Sequence, residues 1–323
     1  MAGSRTIPKA RRPRRTSGGS TSSLSSSARS STRSASARAR SRAREPAGVS
    51  DRDQRRAAPL GVFDSGLGGL TVVRALRAAL PYEDIVYLGD TARVPYGTKG
   101  PDTVVRYALG CARHLVGRGV KAIVIACNTV SAVAPERLRI ELDLPVLGVI
   151  EPGARAAVRA TRSHRIGVLA TLGTVASGAY PRAVSALSTR AETTAQAAPL
   201  LVPLAEEGWT TGEVPRLAVE RYLAPLARAG VDVVVLGCTH YPLLRGVIEE
   251  GTREAIGPHV AVVDSAEATA EDTAAFLSAR GLTRPEDRLG TVRLLVTDLP
   301  RSFGAQAERF LGEAAVDVEA IDL

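Results

Sequence analysis

From Leu60 onward the chain alternates short runs of apolar, often β-branched residues with longer stretches in which apolar positions recur every three or four residues. A short unbroken apolar run reads as a strand buried on both faces, and the longer stretches read as amphipathic helices. The runs predict strands at 60–63, 85–88, 122–126, 146–149, 165–169, 231–236, 260–263 and 292–296. Helices are predicted between them, among others at 70–80, 102–116, 153–160, 214–229 and 302–311. Strands alternating with helices form βα units, so the expected fold class is α/β with mostly parallel sheets.

Within this pattern lies a repeat. GVKAIVIACNT (119–129) aligns without gaps on GVDVVVLGCTH (230–240) at an offset of 111, which brings Cys127 onto Cys238. LGVFDSGLGGLTV, starting at Leu60, aligns on IGVLATLGTVASG, starting at Ile166, at an offset of 106. Two matches in the same order imply two similar α/β lobes.

Composition changes the picture at the N-terminus. The chain has 323 residues and a formal charge of +9, but the first 58 residues hold 15 of its 42 basic and three of its 33 acidic side chains. The remainder is therefore slightly acidic. Residues 1–58 are rich in Arg, Ser and Ala and poor in large apolar groups, so they are expected to be a disordered extension. Two readings of it stay open: a basic arm touching nucleic acid or another polyanion, and a merely solvated extension. No apolar run approaches the roughly 18 residues of a membrane span, and no signal-like stretch opens the chain, so no membrane contact and a cytoplasmic location are expected. Three cysteines at 111, 127 and 238 have neither metal-ligand spacing nor the number for a disulfide framework.

Cys127 and Cys238 each follow a β-branched strand, where a parallel sheet presents its ligand crevice. If a helix begins there, its N–H groups attract anions and depress a thiol's pKa. Alone, either cysteine could be a small buried hydrophobe, which is the reading given to Cys111. The matched contexts, with Asn128 and Thr129 after one thiol and Thr239 and His240 after the other, point instead to paired acid/base groups. Inverting a stereocentre by proton transfer needs one such group on each face, and a thiolate opposite a thiol supplies them.

Cofactor chemistry finds little purchase. Lys9, Lys99 and Lys121 are the only lysines, leaving few anchors for a Schiff base, and His114, His164, His240 and His259 lack ligand spacing, so no cofactor and no metal are expected. DSGLGG (64–69) is a Gly-rich turn that matches neither dinucleotide nor phosphate-loop patterns.

The segments GVFDSGLGGLTV, YLGDTARVPYG, VIACNT, GVIEPGA and LGCTHYPLL, taken in order over about 60–310, resemble the glutamate racemases of the aspartate/glutamate racemase superfamily. The resemblance implies two pseudo-symmetric, flavodoxin-like lobes with the active site between them, at 59–153 plus 265–323 and at 154–264. It implies that Cys127 and Cys238 transfer the proton, with Asp64 assisting Cys127, and with His240 and an acidic residue of PLAEEG (203–208) assisting Cys238. Glu206 is the most natural choice, with Glu207 adjacent. By the same resemblance Asp64, Ser65, Tyr96, Gly97, Asn128, Thr129, Thr239 and His240 contact the substrate, Thr174 being a weaker addition. Singly, Ser65, Asn128 and Thr129 could be helix caps and residues 95–97 a plain turn. Relatives often carry a further cysteine where Ala198 and Pro199 stand here.

The implied activity is cofactor-independent interconversion of L- and D-glutamate, supplying D-glutamate for peptidoglycan, with a homodimer as the usual state. Aspartate racemases are the nearest alternative, but their second motif usually reads Cys-Thr-Glu, whereas His240 follows Thr239 here. Single-cysteine decarboxylases fit less well with two thiols. From a different class, a nucleic-acid or regulatory binding protein would act through the basic extension.

Overall fold

The computed structural model describes residues 50–299, 301, 303–314 and 317–323. Most of the basic extension, and with it the expected nucleic-acid contact, lies outside the described residues, as does Ser302 at the start of one predicted helix.

Two parallel sheets organise the chain. The first is built from β1 (Leu60–Asp64), β2 (Ile85–Gly89), β3 (Ala122–Ile125) and β4 (Val146–Gly148), joined by β9 (Val292–Val296) and β10 (Val318–Ala320), in the order β10-β9-β2-β1-β3-β4. The second holds β5 (Arg165–Ala170), β6 (Glu192–Ala197), β7 (Val233–Gly237) and β8 (Ala261–Asp264) in the order β6-β5-β7-β8. Every ladder is parallel. The runs β2-β1-β3-β4 and β6-β5-β7-β8 share one order, second-first-third-fourth, which is that of a flavodoxin-like sheet. The fold is the expected α/β arrangement of two pseudo-symmetric lobes.

Helices α2 (Leu70–Ala79), α3 (Pro101–Gly117), α4 (Asn128–Ser131), α5 (Pro135–Glu141) and α6 (Ile150–Ala160) fall between Leu60 and the second sheet. Helices α7 (Leu172–Ser177), α8 (Ala179–Leu187), α9 (Leu201–Glu206), α10 (Glu213–Ala229) and α11 (Arg245–Ala255) accompany β5 to β8. Then α12 (Ser265–Ala279), which packs on α2 and α6, and α13 (Phe303–Leu311), which packs on α2, complete the set, with α1 (Asp51–Ala57) ahead of them all.

Central strands are apolar throughout because helices cover both faces. Successive side chains of a strand point to opposite sides, so Val62 and Val124 join one core while Phe63, Ile123 and Ile125 join the other. In the second sheet Val234 and Leu236 face one core and Val233 and Val235 the other.

Two strands and one helix depart from expectation. β6 reads ETTAQA and β10 is three residues long; each lies at a sheet edge with little buried, so neither carries an apolar run. Residues 51–57, expected to belong to the disordered extension, form α1 without burying a single side chain. Polar bonds order it instead. Ser50 Oγ caps it by accepting from the Asp53 amide. At its other end Lys121 Nζ donates to the Arg56 carbonyl at 2.9 Å, Arg284 to that of Ala57 at 2.9 Å, and Arg56 Nε to that of Thr283 at 2.9 Å. Among the described residues no helix is long and apolar enough to cross a membrane.

Candidate active site

β1 runs parallel to β3 in the first sheet and β5 to β7 in the second, and residues that follow the C-terminal ends of all four meet in one place. There they enclose a cavity of about 330 Å³. Ser65, Tyr96, Gly97, Cys127, Asn128 and Thr129 line it from the first sheet's loops, and Glu206, Cys238, Thr239 and His240 from the second's. Ten expected residues from five separate segments thus share one cavity, with both thiols in its wall. Asp64 is not among the lining residues; it lies buried at the end of β1, its Oδ2 accepting from the Gly69 amide at 2.8 Å and its Oδ1 without a partner among the described residues. Thr174 is buried behind Thr129.

The two thiols have unlike settings. Burial pushes the Cys127 thiol well above its ordinary range and the Asp64 carboxylate adds to this, against a hydrogen bond to Ser65 Oγ at 3.4 Å. The expected depression by a helix start is therefore overturned at Cys127: α4 is a single turn, and desolvation with a nearby negative charge outweighs it. After Cys238 the expected helix does not start directly; a 3₁₀ turn (Tyr241–Leu244) intervenes before α11.

Cys238 has a titratable partner beside it. Its Sγ lies 3.8 Å from His240 Nδ1, and His240 Nε2 lies 3.0 Å from Glu206 Oε1. Burial opposes a charged imidazole, but hydrogen bonds to Cys238 and Glu206 outweigh it and push His240 up to about 10. The ring also meets Phe310 edge to face at 5.2 Å. Of the two candidate glutamates, Glu206 is the one against His240. One wall of the cavity thus carries a protonated thiol and the other a sulfur beside an imidazolium.

DSGLGG has a steric explanation. A Cβ on Gly68 would fall 2.3 Å from Thr239 Oγ1 and 2.5 Å from His240 Nδ1, so only glycine lets this turn meet the second lobe. Thr71 Oγ1 fastens the same contact by donating to the Thr239 carbonyl at 2.9 Å.

Two features escaped sequence reasoning. Thr171, also in the wall, lies with its Oγ1 3.0 Å from those of both Thr129 and Thr174, making a hydroxyl cluster. Its signal, an N-cap ahead of a short helix, is too common to single it out. The Tyr96 hydroxyl donates to the buried Asp90 carboxylate, so its proton is already engaged and is not free for a substrate carboxylate. Among the described residues no group of three or more His, Cys, Asp or Glu is placed to hold a metal ion.

The chain belongs to the Asp/Glu/Hydantoin racemase family, whose model matches residues 70–273. It is 52% identical over 264 residues to the glutamate racemase of Geobacter metallireducens, covering 82% of this chain and 96% of that one. It is similar to the solved structure of glutamate racemase from Thermus thermophilus in complex with β-chloro-D-alanine, with a TM-score of 0.74 and 47% identity over 83% of this chain and 98% of the other. It is likewise similar to the glutamate racemase of Francisella tularensis in complex with D-glutamate, with a TM-score of 0.76 and 34% identity over the same shares.

Proposed function

We propose that this chain interconverts L- and D-glutamate by two-thiol proton transfer without a cofactor. The observation that carries the reading is that Cys127 and Cys238, placed at equivalent strand ends of two lobes, line one cavity with opposite electrostatic partners. In one direction the thiolate of one cysteine takes the α-proton, and the thiol opposite gives its proton to the other face. No atoms are gained or lost, and the sulfurs exchange protonation states. Asp64 supports Cys127, while His240, backed by Glu206, supplies or accepts the proton at Cys238.

Ser65, Tyr96, Gly97, Asn128, Thr129, Thr239 and His240 hold the amino acid. Hydroxyl, amide and backbone donors suit its two carboxylates. Glutamate as substrate is supported by the relatives named above, one of which was solved with D-glutamate.

The reading includes lobe limits at 59–153 plus 265–323 and at 154–264, supported by the membership of the two sheets. It also includes a cytoplasmic location, a homodimer, and supply of D-glutamate to peptidoglycan. Light scattering of the purified chain tests the dimer. A nucleic-acid contact of the basic extension rests on composition alone; equal DNA retention by the full chain and one starting at Ser50 would remove it.

The deciding experiment incubates purified protein with L-glutamate in deuterated water without added cofactor. D-Glutamate carrying deuterium at the α-carbon is expected. Inversion that demands pyridoxal phosphate would overturn the mechanism.

A further inference from the structure

Asn128 follows Cys127 directly, lines the cavity and is buried. The two ends of its amide are unequally placed. Oδ1 accepts a hydrogen bond from the Tyr180 hydroxyl at 2.8 Å, whereas Nδ2 has no hydrogen-bond partner among the described residues. A buried amide donor without a partner is costly unless a ligand satisfies it. A carboxamide can also turn over, exchanging donor and acceptor with almost no change of shape. A phenol donating to Oδ1 opposes that exchange.

Tyr180 comes from the other half of the molecule. It sits on α8, beside the second sheet, while Asn128 opens α4, just after β3 of the first. Burial raises the tyrosine's pKa well above its ordinary value, against a hydrogen bond to Ser265, so the hydroxyl keeps its proton. Two glycines make room for it. A Cβ on Gly153 would lie 3.2 Å from the hydroxyl oxygen, and one on Gly237 would lie 3.1 Å from the ring. These glycines belong to GVIEPGA and LGCTHYPLL, in neither of which had the glycine a role of its own.

We infer that Tyr180 is a positioning residue: reaching across from the second lobe, it fixes the Asn128 amide so that Nδ2 is presented to a carboxylate of the substrate. This rests on the racemase reading above. Tyr180 touches no substrate itself and acts through Asn128.

Tyr180→Phe keeps the ring in its slot and removes only the hydroxyl. Because a carboxylate contact serves ground and transition states alike, KM for both glutamate enantiomers is expected to rise about tenfold while kcat changes less than about threefold. A purely structural role would lower the melting temperature and the active fraction without moving KM. In an Asn128→Ala background, Tyr180→Phe is expected to change KM no further, whereas a full additive rise would overturn the proposal. If Tyr180→Phe does not fold, Gly153→Ala crowds the same hydroxyl and is expected to raise KM; an unchanged value would overturn the proposal equally. A wild-type chain that fails to racemise glutamate counts against the racemase reading, and a racemising wild type with unchanged KM in Tyr180→Phe counts against the role of Tyr180 alone.

Discussion

His240 Nε2 stands 3.0 Å from Glu206 Oε1, so the imidazole that faces one candidate thiol is backed by a carboxylate. Burial alone would lower the imidazole's pKa from 6.5; its bonds to Cys238 and Glu206 carry it to about 10 instead. A value raised in the folded state means that the charged ring contributes stability in full below about 6.5 and loses that contribution as pH climbs through about 10.

The first prediction follows from that pairing. Glu206→Gln removes one of the two partners that hold the proton on His240. The alkaline limb of the kcat/KM profile should move toward neutrality by about one pH unit, and kcat should fall about tenfold. Turnover measured by circular dichroism across pH checks both, and an unmoved alkaline limb would contradict the pairing.

The thiols should be individually indispensable to inversion but differently tuned. Cys127→Ala and Cys238→Ala should each lower racemisation by about 10³-fold or more, since each removes the proton donor or acceptor on one face. Burial and then the Asp64 charge hold the Cys127 thiol up. Asp64→Asn, made in a Cys238→Ala background, should therefore let Cys127 ionise at lower pH than in the same background with Asp64 intact. Ultraviolet thiolate absorbance against pH reads this directly, and coincident curves would remove Asp64 from the account.

What the sequence made legible follows from burial. β1, β3, β5 and β7 are fully or almost fully buried, so each reads as an apolar run, and Cys127 and Cys238 stand out because the runs before them repeat. β6 exposes ETTAQA at an edge, and α1 is held by bonds from Lys121 and Arg284, more than 60 residues away in sequence, so neither has a local signature. Thr171 and Tyr180 are invisible for a related reason. One looks like any helix cap and the other like any core aromatic, and their roles arise only where two lobes meet. Cys127 misled the charge argument because position after a strand says nothing of how much desolvation the thiol suffers.

A polar network at the opposite strand ends offers a stability test. Lys121 Nζ lies 2.5 Å from Glu83 Oε2, with both side chains about 1% exposed, and also donates to the Arg56 and Leu282 carbonyls at 2.9 Å. Among the described residues, Lys121→Met would leave the buried Glu83 carboxylate only the hydrogen bond from the Arg284 amide, which donates to its Oε1 at 2.8 Å. Removing one partner of such a pair costs about 3–5 kcal/mol. Chemical denaturation should show that loss, and proteolysis should cut near Ala57 sooner. KM and kcat per folded molecule should hold, because Lys121 precedes β3 whereas the cavity lies beyond its far end. A denaturation midpoint equal to wild type would refute the assignment.

Thr171 supplies the last test, one that separates ligand binding from capping. Its hydroxyl meets those of Thr129 and Thr174 at 3.0 Å each, and it also accepts from the Thr174 amide at 3.3 Å as the cap of α7. Thr129 and Thr171 line the cavity with Thr174 buried behind them, so their two hydroxyls can turn protons toward a carboxylate, and losing one such bond to a charged group should raise KM for glutamate about tenfold. Thr171→Val removes both functions, whereas Thr171→Ser keeps both. The Val variant should therefore combine the higher KM with a modest loss of stability, and the Ser variant should behave as wild type. If Thr171→Val lowers only the melting temperature and leaves KM alone, the hydroxyl is a cap and the cluster does not bind substrate.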